Sequence, residues 1–294
     1  MWYHIRITNE REPVMRIETE EARGTSSERV SDDFLAVNAC GVEDISVHDH
    51  GSVRKKGRSD YHILYVAKGI CHLRQDGAES LIPAGCIILF RPGEPQEYFY
   101  RACERSVSHY IHFTGSGTAE LLERYGLTGR RVFDMGVSTE YEDLSRKMVK
   151  EFTLKKRFYE DSCAATLYAM LALIGRRAAL RSSGVSRGAA KRIDDACVRI
   201  CDNIASPPSA EELARECCLS LSRFTHLFAE VTGRSYGRFI REVRMSRAEE
   251  LLRSADMSVR EVGEAVGYPD QNYFSRLFRS MTGRSPSEVR REDG

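Results

Sequence analysis

The chain has 294 residues, 41% of them hydrophobic, with 44 Lys and Arg against 43 Asp and Glu for a net charge of +1. That length allows two domains with ordinary cores, and the near-neutral balance excludes a polybasic or polyacidic protein that chooses its partner by bulk charge. Nine scattered cysteines (Cys40, Cys71, Cys86, Cys103, Cys163, Cys197, Cys201, Cys217, Cys218), an odd number with no C-x-x-C pair, exclude a disulfide scaffold and fit reduced thiols in a cytoplasm; no uninterrupted apolar run approaches about 18 residues, so no membrane span is expected.

Residues 1–30 are polar with little pattern and read as a loose arm or an early strand. From 34 to 114, short strand-like runs alternate with turn signals. The runs are Phe34–Ala39, Asp44–His50, Tyr61–Lys68, Ile70–Gln75, Glu79–Ile82, Cys86–Phe90, Gln96–Arg101 and Val107–Phe113, with breaks at Gly41, Gly51, Gly57, Gly69, Gly77, Gly85 and Gly93. Eight such runs predict a small barrel or jelly roll, a size that can enclose one small ligand. Ile82-Pro83-Ala84-Gly85 and Pro92-Gly93-Glu94-Pro95 resemble the second half of a cupin motif. Metal-binding cupins carry a histidine where this chain has Gln96. His48-Asp49-His50 lies too early for the motif and reads as a pair of rim histidines. His109 and His112 fall on opposite faces of one strand, because strand side chains alternate. A pocket with no metal, no cofactor and no catalytic residue is expected.

Residues 118–181 turn helical. Thr118–Tyr125, Thr139–Lys155 and Phe158–Arg181 carry apolar residues at helical spacing, the last with Ala164, Leu167, Tyr168, Leu171 and Ile174. The longer two are expected to pack as a hairpin. Residues 182–190 are small and polar and read as a linker. A helix over Lys191–Ile204 then stops before Ser206-Pro207-Pro208. Cys197 and Cys201, at i and i+4, read as core residues, as do Cys217 and Cys218.

Residues 209–291 contain one motif twice. Leu221-Ser222-Arg223-Phe224-Thr225-His226-Leu227-Phe228, followed by Thr232-Gly233-Arg234-Ser235, recurs fifty positions later as Gln271-Asn272-Tyr273-Phe274-Ser275-Arg276-Leu277-Phe278, followed by Thr282-Gly283-Arg284-Ser285. Each copy has a short helix (Ala210–Cys218, Val259–Val266), a turn, and a second helix with apolar residues at i, i+3 and i+4. Ser220 and Asp270 suit N-caps, and Gly233 and Gly283 suit left-handed helix ends. This is the grammar of a helix-turn-helix. Between the copies, Ser235–Arg253 reads as one helix, about 28 Å long at 1.5 Å per residue. Neighbouring major-groove faces of a duplex lie about 34 Å apart, so one helix can hold two reading heads near one DNA turn apart. Over 191–294 the charges balance, seventeen basic against seventeen acidic. Charge must therefore act through placement: Arg223, Arg234, Arg276, Arg279 and Arg284 lie in or beside the second helices.

Residues 209–291 closely resemble the DNA-binding domain of the AraC/XylS family of transcription regulators. The resemblance is carried by Arg244-Met245-Ser246-Arg247-Ala248-Glu249-Glu250-Leu251-Leu252, Val259–Val266, Gly267-Tyr268, Tyr273–Phe278 and Thr282-Gly283-Arg284-Ser285-Pro286. Gly263 stands where the family usually has Ala, and Val289 where an aromatic is common. The resemblance implies an α+β chain: an N-terminal cupin-like β-barrel that senses a ligand (1–117), a helical dimerisation hairpin (118–181), a linker (182–190) and an all-α C-terminal domain with two helix-turn-helix motifs (191–294). It implies that the second helix of each motif enters a major groove of double-stranded DNA. Ser222, Arg223, Thr225 and His226 would face bases from the first head. Asn272, Tyr273, Ser275 and Arg276 would do so from the second, with Arg279 and Arg284 on phosphates.

By the same resemblance, the pocket of sugar-responsive members corresponds here to Arg54, Tyr98, Ser108 and Tyr110. Those residue types suit a carbohydrate, since Arg and Tyr meet hydroxyls and an aromatic face meets a sugar's C–H patch. The function expected is a cytoplasmic, dimeric transcription activator that responds to a small molecule such as a sugar and works with RNA polymerase. A ligand-independent regulator whose barrel only dimerises, or a cupin enzyme fused to a DNA-binding module, are the alternatives.

Overall fold

In the computed structural model, residues 31–254 and 257–291 are described; the arm expected over 1–30 lies outside them. The chain divides into two units between Ser182 and Ser183.

In the first unit, the alternating runs fold as β1 (Ala36–Ile45), β2 (His50–Arg54), β3 (Tyr61–Lys68), β4 (Ile70–Gln75), β5 (Ala78–Pro83), β6 (Cys86–Phe90), β7 (Gln96–Tyr100), β8 (Ser106–Thr114) and β9 (Val132–Asp134). They form a five-stranded sheet, β1-β8-β3-β6-β9, and a four-stranded sheet, β2-β7-β4-β5. Every pairing is antiparallel. Alternation in β3 shows how the sheets share work. Leu64 and Val66 point inward and pack with Ile88, Phe90, Cys71, Leu73, Tyr98 and Tyr100 of both sheets. Ile63 and Tyr65 point outward into a second core.

Two expected features of this region are corrected. The break at Gly41 lies inside β1, and Asp44–His50 is not a strand: β1 ends at Ile45 and β2 starts at His50. Gly41 is a packing glycine. A Cβ there would fall 2.6 Å from the ring of Tyr110. Gly51 likewise lies within β2, backed by Phe99. A glycine inside a strand often marks such close approach. The ninth strand, β9, has three residues, too few for any periodicity. Arg177 holds the chain beyond it by donating to the carbonyls of Met135 (2.9 Å) and Val137 (3.0 Å), and Arg181 pairs with Asp134.

Helices α1 (Thr118–Arg124), α2 (Thr139–Leu154) and α3 (Tyr159–Ser182) follow. Tyr141, Met148 and Val149 of α2 join Leu167, Met170, Leu171 and Ile174 of α3 on the outward face of the five-stranded sheet. Helix α3 is long and apolar enough, by length and composition alone, to cross a membrane, although charged residues interrupt its apolar run. Its apolar stripe is nonetheless committed to this core, with Leu167, Met170 and Leu171 fully buried.

The second unit holds α4 (Arg187–Asp202), α5 (Ala210–Glu216), α6 (Leu221–Thr232), α7 (Tyr236–Ser254), α8 (Val259–Ala265), α9 (Gln271–Thr282) and α10 (Pro286–Arg291). Helix α4 starts four residues before the expected Lys191, because the Ser186 hydroxyl accepts from the Ala189 N–H and caps it. Part of the expected linker is therefore helical. The buried stripe of α4 is Ile193, Ala196 and Ile200, which leaves Cys201 exposed rather than in the core. Cys218 is exposed too, with φ of 56° as the chain leaves α5.

The two copies of the repeat share several of their helix-end contacts. Capping boxes open α5 (Ser209 with Glu212) and α8 (Ser258 with Glu261). Thr232 and Thr282 donate to the carbonyls of Phe228 (2.7 Å) and Phe278 (2.9 Å). Gly233 and Gly283 end α6 and α9 at φ of 71° and 79°. Helix α7 serves both motifs. Phe239 meets Phe228 edge-on in the first, and Met245, Ala248 and Leu252 pack with Phe274 and Phe278 in the second.

Gly263 in α8 gives a test of this packing. A Cβ there would lie 2.9 Å from the Tyr268 carbonyl oxygen and 3.3 Å from the Phe274 ring. Ala usually stabilises a helix interior by roughly 0.5–1 kcal/mol over Gly, but a backbone atom cannot yield as a side chain can. Gly263→Ala is therefore expected to lower the melting temperature. An increase would show that the turn relaxes freely.

Candidate functional sites

The two second helices present matched surfaces. At α6, the Ser220 hydroxyl accepts from the Arg223 N–H at 3.2 Å. At α9, the Asp270 carboxylate accepts from the N–H groups of Asn272 (2.9 Å) and Tyr273 (3.0 Å). Phe224, Leu227 and Phe228 fill one core, and Phe274 and Phe278 the other. That orientation exposes Ser222, Arg223, Thr225 and His226 on α6, and Asn272, Tyr273, Arg276 and Arg279 on α9; Ser275 is half-buried.

The heads differ in charge. On α6 the His226 ring lies 3.5 Å from Glu230, and the Thr225 hydroxyl donates to the Ser222 carbonyl at 3.0 Å. Helix α9 contains no acidic residue, and Arg276 and Arg279 form no ion pair with any described residue. Arg284 is different. It is half-buried and donates to Glu249 of α7 at 3.2 Å, a carboxylate that Arg253 also bonds at 2.7 Å. Its guanidinium is thus tied into the fold, whereas Arg276 and Arg279 are open to solvent.

In the first unit, Tyr98 and Tyr110 pack in or against the core between the sheets, and Arg54 and Ser108 bond to residues of β7. The β2–β7 register sets Arg54 opposite Gln96 and Ser52 opposite Tyr98. Tyr98 belongs to the inner core. Arg54 Nη1 donates to Gln96 Oε1 at 3.0 Å and lies beside the Tyr98 hydroxyl. Burial pushes that phenol up to about 12. Tyr110, on the same face of β8, rests over Gly41 and packs against the inner core. Ser108 is buried, and its hydroxyl is bonded to Tyr100 at 2.8 Å.

Residues 40–173 match the pattern of a family described as the AraC-like ligand binding domain, and residues 213–292 that of a helix-turn-helix domain. The arabinose operon regulatory protein of Escherichia coli (strain K12) is 30% identical over 243 residues, spanning 81% of this chain and 82% of that protein. The chain belongs to the AraC family of transcription regulators. The arabinose operon regulatory protein of Salmonella typhimurium (strain LT2) is similar at 29% identity over 246 residues, covering 81% of this chain and 85% of that one. A crystal structure of a transcriptional regulator with an AraC-type DNA-binding domain, from Chromobacterium violaceum, aligns over 37% of this chain and 97% of its own at 25% identity, with a TM-score of 0.35. The protein is accordingly a DNA-binding transcription regulator that carries a ligand-binding domain, and its named relatives are regulators.

The sensor domain of this AraC-family chain holds polar groups beyond the four expected. His62, one residue into β3, has Nδ1 3.3 Å from Gln96 Oε1 and stacks on His112 at a centroid distance of 4.0 Å. His112 Nδ1 lies 3.6 Å from Asp60, too long for a hydrogen bond. Asp60 in turn accepts from Arg58 (2.6 Å) and from Asn38 (2.9 Å), the residue at the β1 bulge. Burial pushes Asp60 upward, but His112, Arg58 and Asn38 together hold it well below the usual carboxylate range. His62 is held well below the ordinary histidine value by burial, with the positive charges of His112, when protonated, and of Arg54 adding to it. His109 does face the other way, toward α2, with Nδ1 2.8 Å from the Ser145 hydroxyl. Among the described residues, no group of three or more His, Cys, Asp or Glu is placed to hold a metal ion. Period-two spacing from Tyr98 and Tyr110 reaches Gln96 and His112, so a signal placing those two on the inner face was available.

Proposed function

We propose that the protein activates transcription in response to a small polyhydroxylated effector, a sugar, bound between the two sheets. Sensing is assigned to residues 1–117 and dimerisation to the hairpin within 118–181. The active form is read as a cytoplasmic homodimer that presents its heads to DNA and to RNA polymerase. The observation that carries the DNA reading is the pair of N-capped helices with open polar faces, above all Arg276 beside Asn272. Arg donates bidentately to guanine and Asn pairs with adenine in the major groove. Arg54, Tyr98 and Tyr110 around one interior support the sugar, as do two relatives named as regulatory proteins of an arabinose operon.

Selection from random duplex DNA, with and without a sugar pool, tests the proposal. The expected product is a bipartite site with elements about one helical turn apart, enriched differently when sugar is present. A single element would reduce one head to a positioning role, and identical enrichment with and without effectors would favour the ligand-independent alternative. Within that assay, Arg276→Ala should cost about 1–3 kcal/mol at one base position. Equal weakening on every sequence would instead place Arg276 on a phosphate.

A further inference from the structure

Two polar atoms between the sheets, His62 Nε2 and Gln96 Nε2, are buried and have no hydrogen-bond partner. Buried polar groups are rarely left so, because each orphan forfeits the water it gave up on folding. Both sit beside Arg54, Tyr98 and Phe90, so they belong to the wall assigned to the effector under the proposed function, and their role as a subsite rests on that assignment.

The neighbours fix what each atom offers. The guanidinium of Arg54 only donates, so the oxygen of Gln96 must be the atom that faces it at 3.0 Å. That turns the Gln96 NH2 away as a spare donor. The same oxygen lies 3.3 Å from His62 Nδ1, so Nδ1 carries the ring hydrogen. The ring is neutral, since burial and the charges on Arg54 and Arg58 oppose its protonation. His62 Nε2 is therefore a bare acceptor. One wall thus offers a donor and an acceptor, both unused.

A hydroxyl donates and accepts at once and can satisfy such a pair. A carboxylate only accepts, and it would set a lone pair against the lone pair of His62. Arg54 by itself would attract an anion. Glu43, 3.5 Å from His50, already lies within electrostatic reach of Arg54, Tyr98 and Tyr110, and burial pushes its carboxyl up. An acidic ligand would place a second carboxyl group beside it. We propose that His62 and Gln96 form a hydroxyl-reading subsite, and that the effector is a neutral polyhydroxyl compound, an aldose or alditol, rather than a sugar acid.

The test is a calorimetric and thermal-shift panel on the full chain. Neutral pentoses, hexoses and their alditols are compared with the matching aldonic and uronic acids. Binding by neutral members and none by their acids is the expected result. His62→Phe keeps a ring to stack on Phe90 but removes the acceptor, and should weaken the bound neutral compound about tenfold or more, the cost of one lost buried hydrogen bond. Gln96→Glu keeps an oxygen for Arg54 but removes the donor, and should weaken it comparably. It serves alone if the ring substitution unfolds the barrel. Acids that bind in place of their neutral counterparts would overturn the inference and leave the effector site standing. So would neutral binding unchanged in both variants. If no member of either class binds, the effector reading itself fails and the inference with it.

Discussion

Phe274→Ala is expected to destabilise the second helix-turn-helix by about 3–5 kcal/mol, the range for removing a fully buried aromatic ring. Phe274 has no exposed surface and packs with Phe278, Val262, Tyr268 and the α7 side chains Met245, Ala248 and Leu252. A whole domain is commonly stable by only about 5–15 kcal/mol, so this one ring represents a large share. Specific DNA binding should fall with it, because α9 loses the surface that orients its outer face. Phe224→Ala in the first motif should cost a similar amount, since Phe224 is equally buried. The contrast is Tyr273→Ala, next in sequence and 48% exposed. It should leave stability within about 0.5 kcal/mol while weakening DNA binding. Urea unfolding and DNA titration separate the two effects. Equal melting of the Phe274 and Tyr273 variants would refute the inward-outward assignment of α9.

Acid should unfold the sensor unit in two stages. Burial, helped by the charge of Arg146, pushes His109 down to about 4 in the folded protein, whereas an unfolded histidine titrates near 6.5. Above that value the folded and unfolded forms are both neutral at this site and stability is complete. As pH falls from about 6.5 to 4, the unfolded chain takes up a proton that the folded chain refuses, and stability drops by about 3 kcal/mol from this residue. His62 and His112 are lowered as well, so they act in the same direction. Asp60 is a depressed acid. Its contribution is present above about 4 and is lost only at lower pH, as its carboxylate is forced to protonate. Melting temperature measured against pH should therefore begin to fall below about 6.5, and His109→Phe should flatten the first stage. A parent protein equally stable at pH 7 and pH 4.5 would contradict the burial of these rings.

The sequence showed the second unit almost completely because each of its signals is local. A capping side chain, a stop glycine and an i, i+3, i+4 stripe all lie within twelve residues, and the duplication states them twice. The first unit was legible in its strands and less so in its turns. Gly41 and Gly51 looked like breaks, since a glycine that makes a turn and one that clears space for Tyr110 or Phe99 are alike in sequence. Arg54, Tyr98, Ser108 and Tyr110 came from resemblance, and period two from Tyr110 reaches His112, while the grouping of Asp60, His62 and His112 did not announce itself. Their association depends on register between β3, β7 and β8, and on a bulge at Asn38, neither of which a linear pattern records. Arg284 is a similar case, because its tie to Glu249 crosses thirty-five positions of sequence.

Because α7 lends one end to each motif's core, it acts as a ruler for the operator. Any residue inserted at its middle would advance the second head by about 1.5 Å and swing it by about 100°, off the groove it is meant to face. No loop is present there to absorb the error. A duplex with altered spacing would have to twist itself to fit, and DNA resists that. Operators of this protein should therefore share one spacing between their two elements even where their bases differ, and a genome can be searched for that interval before any base preference is known.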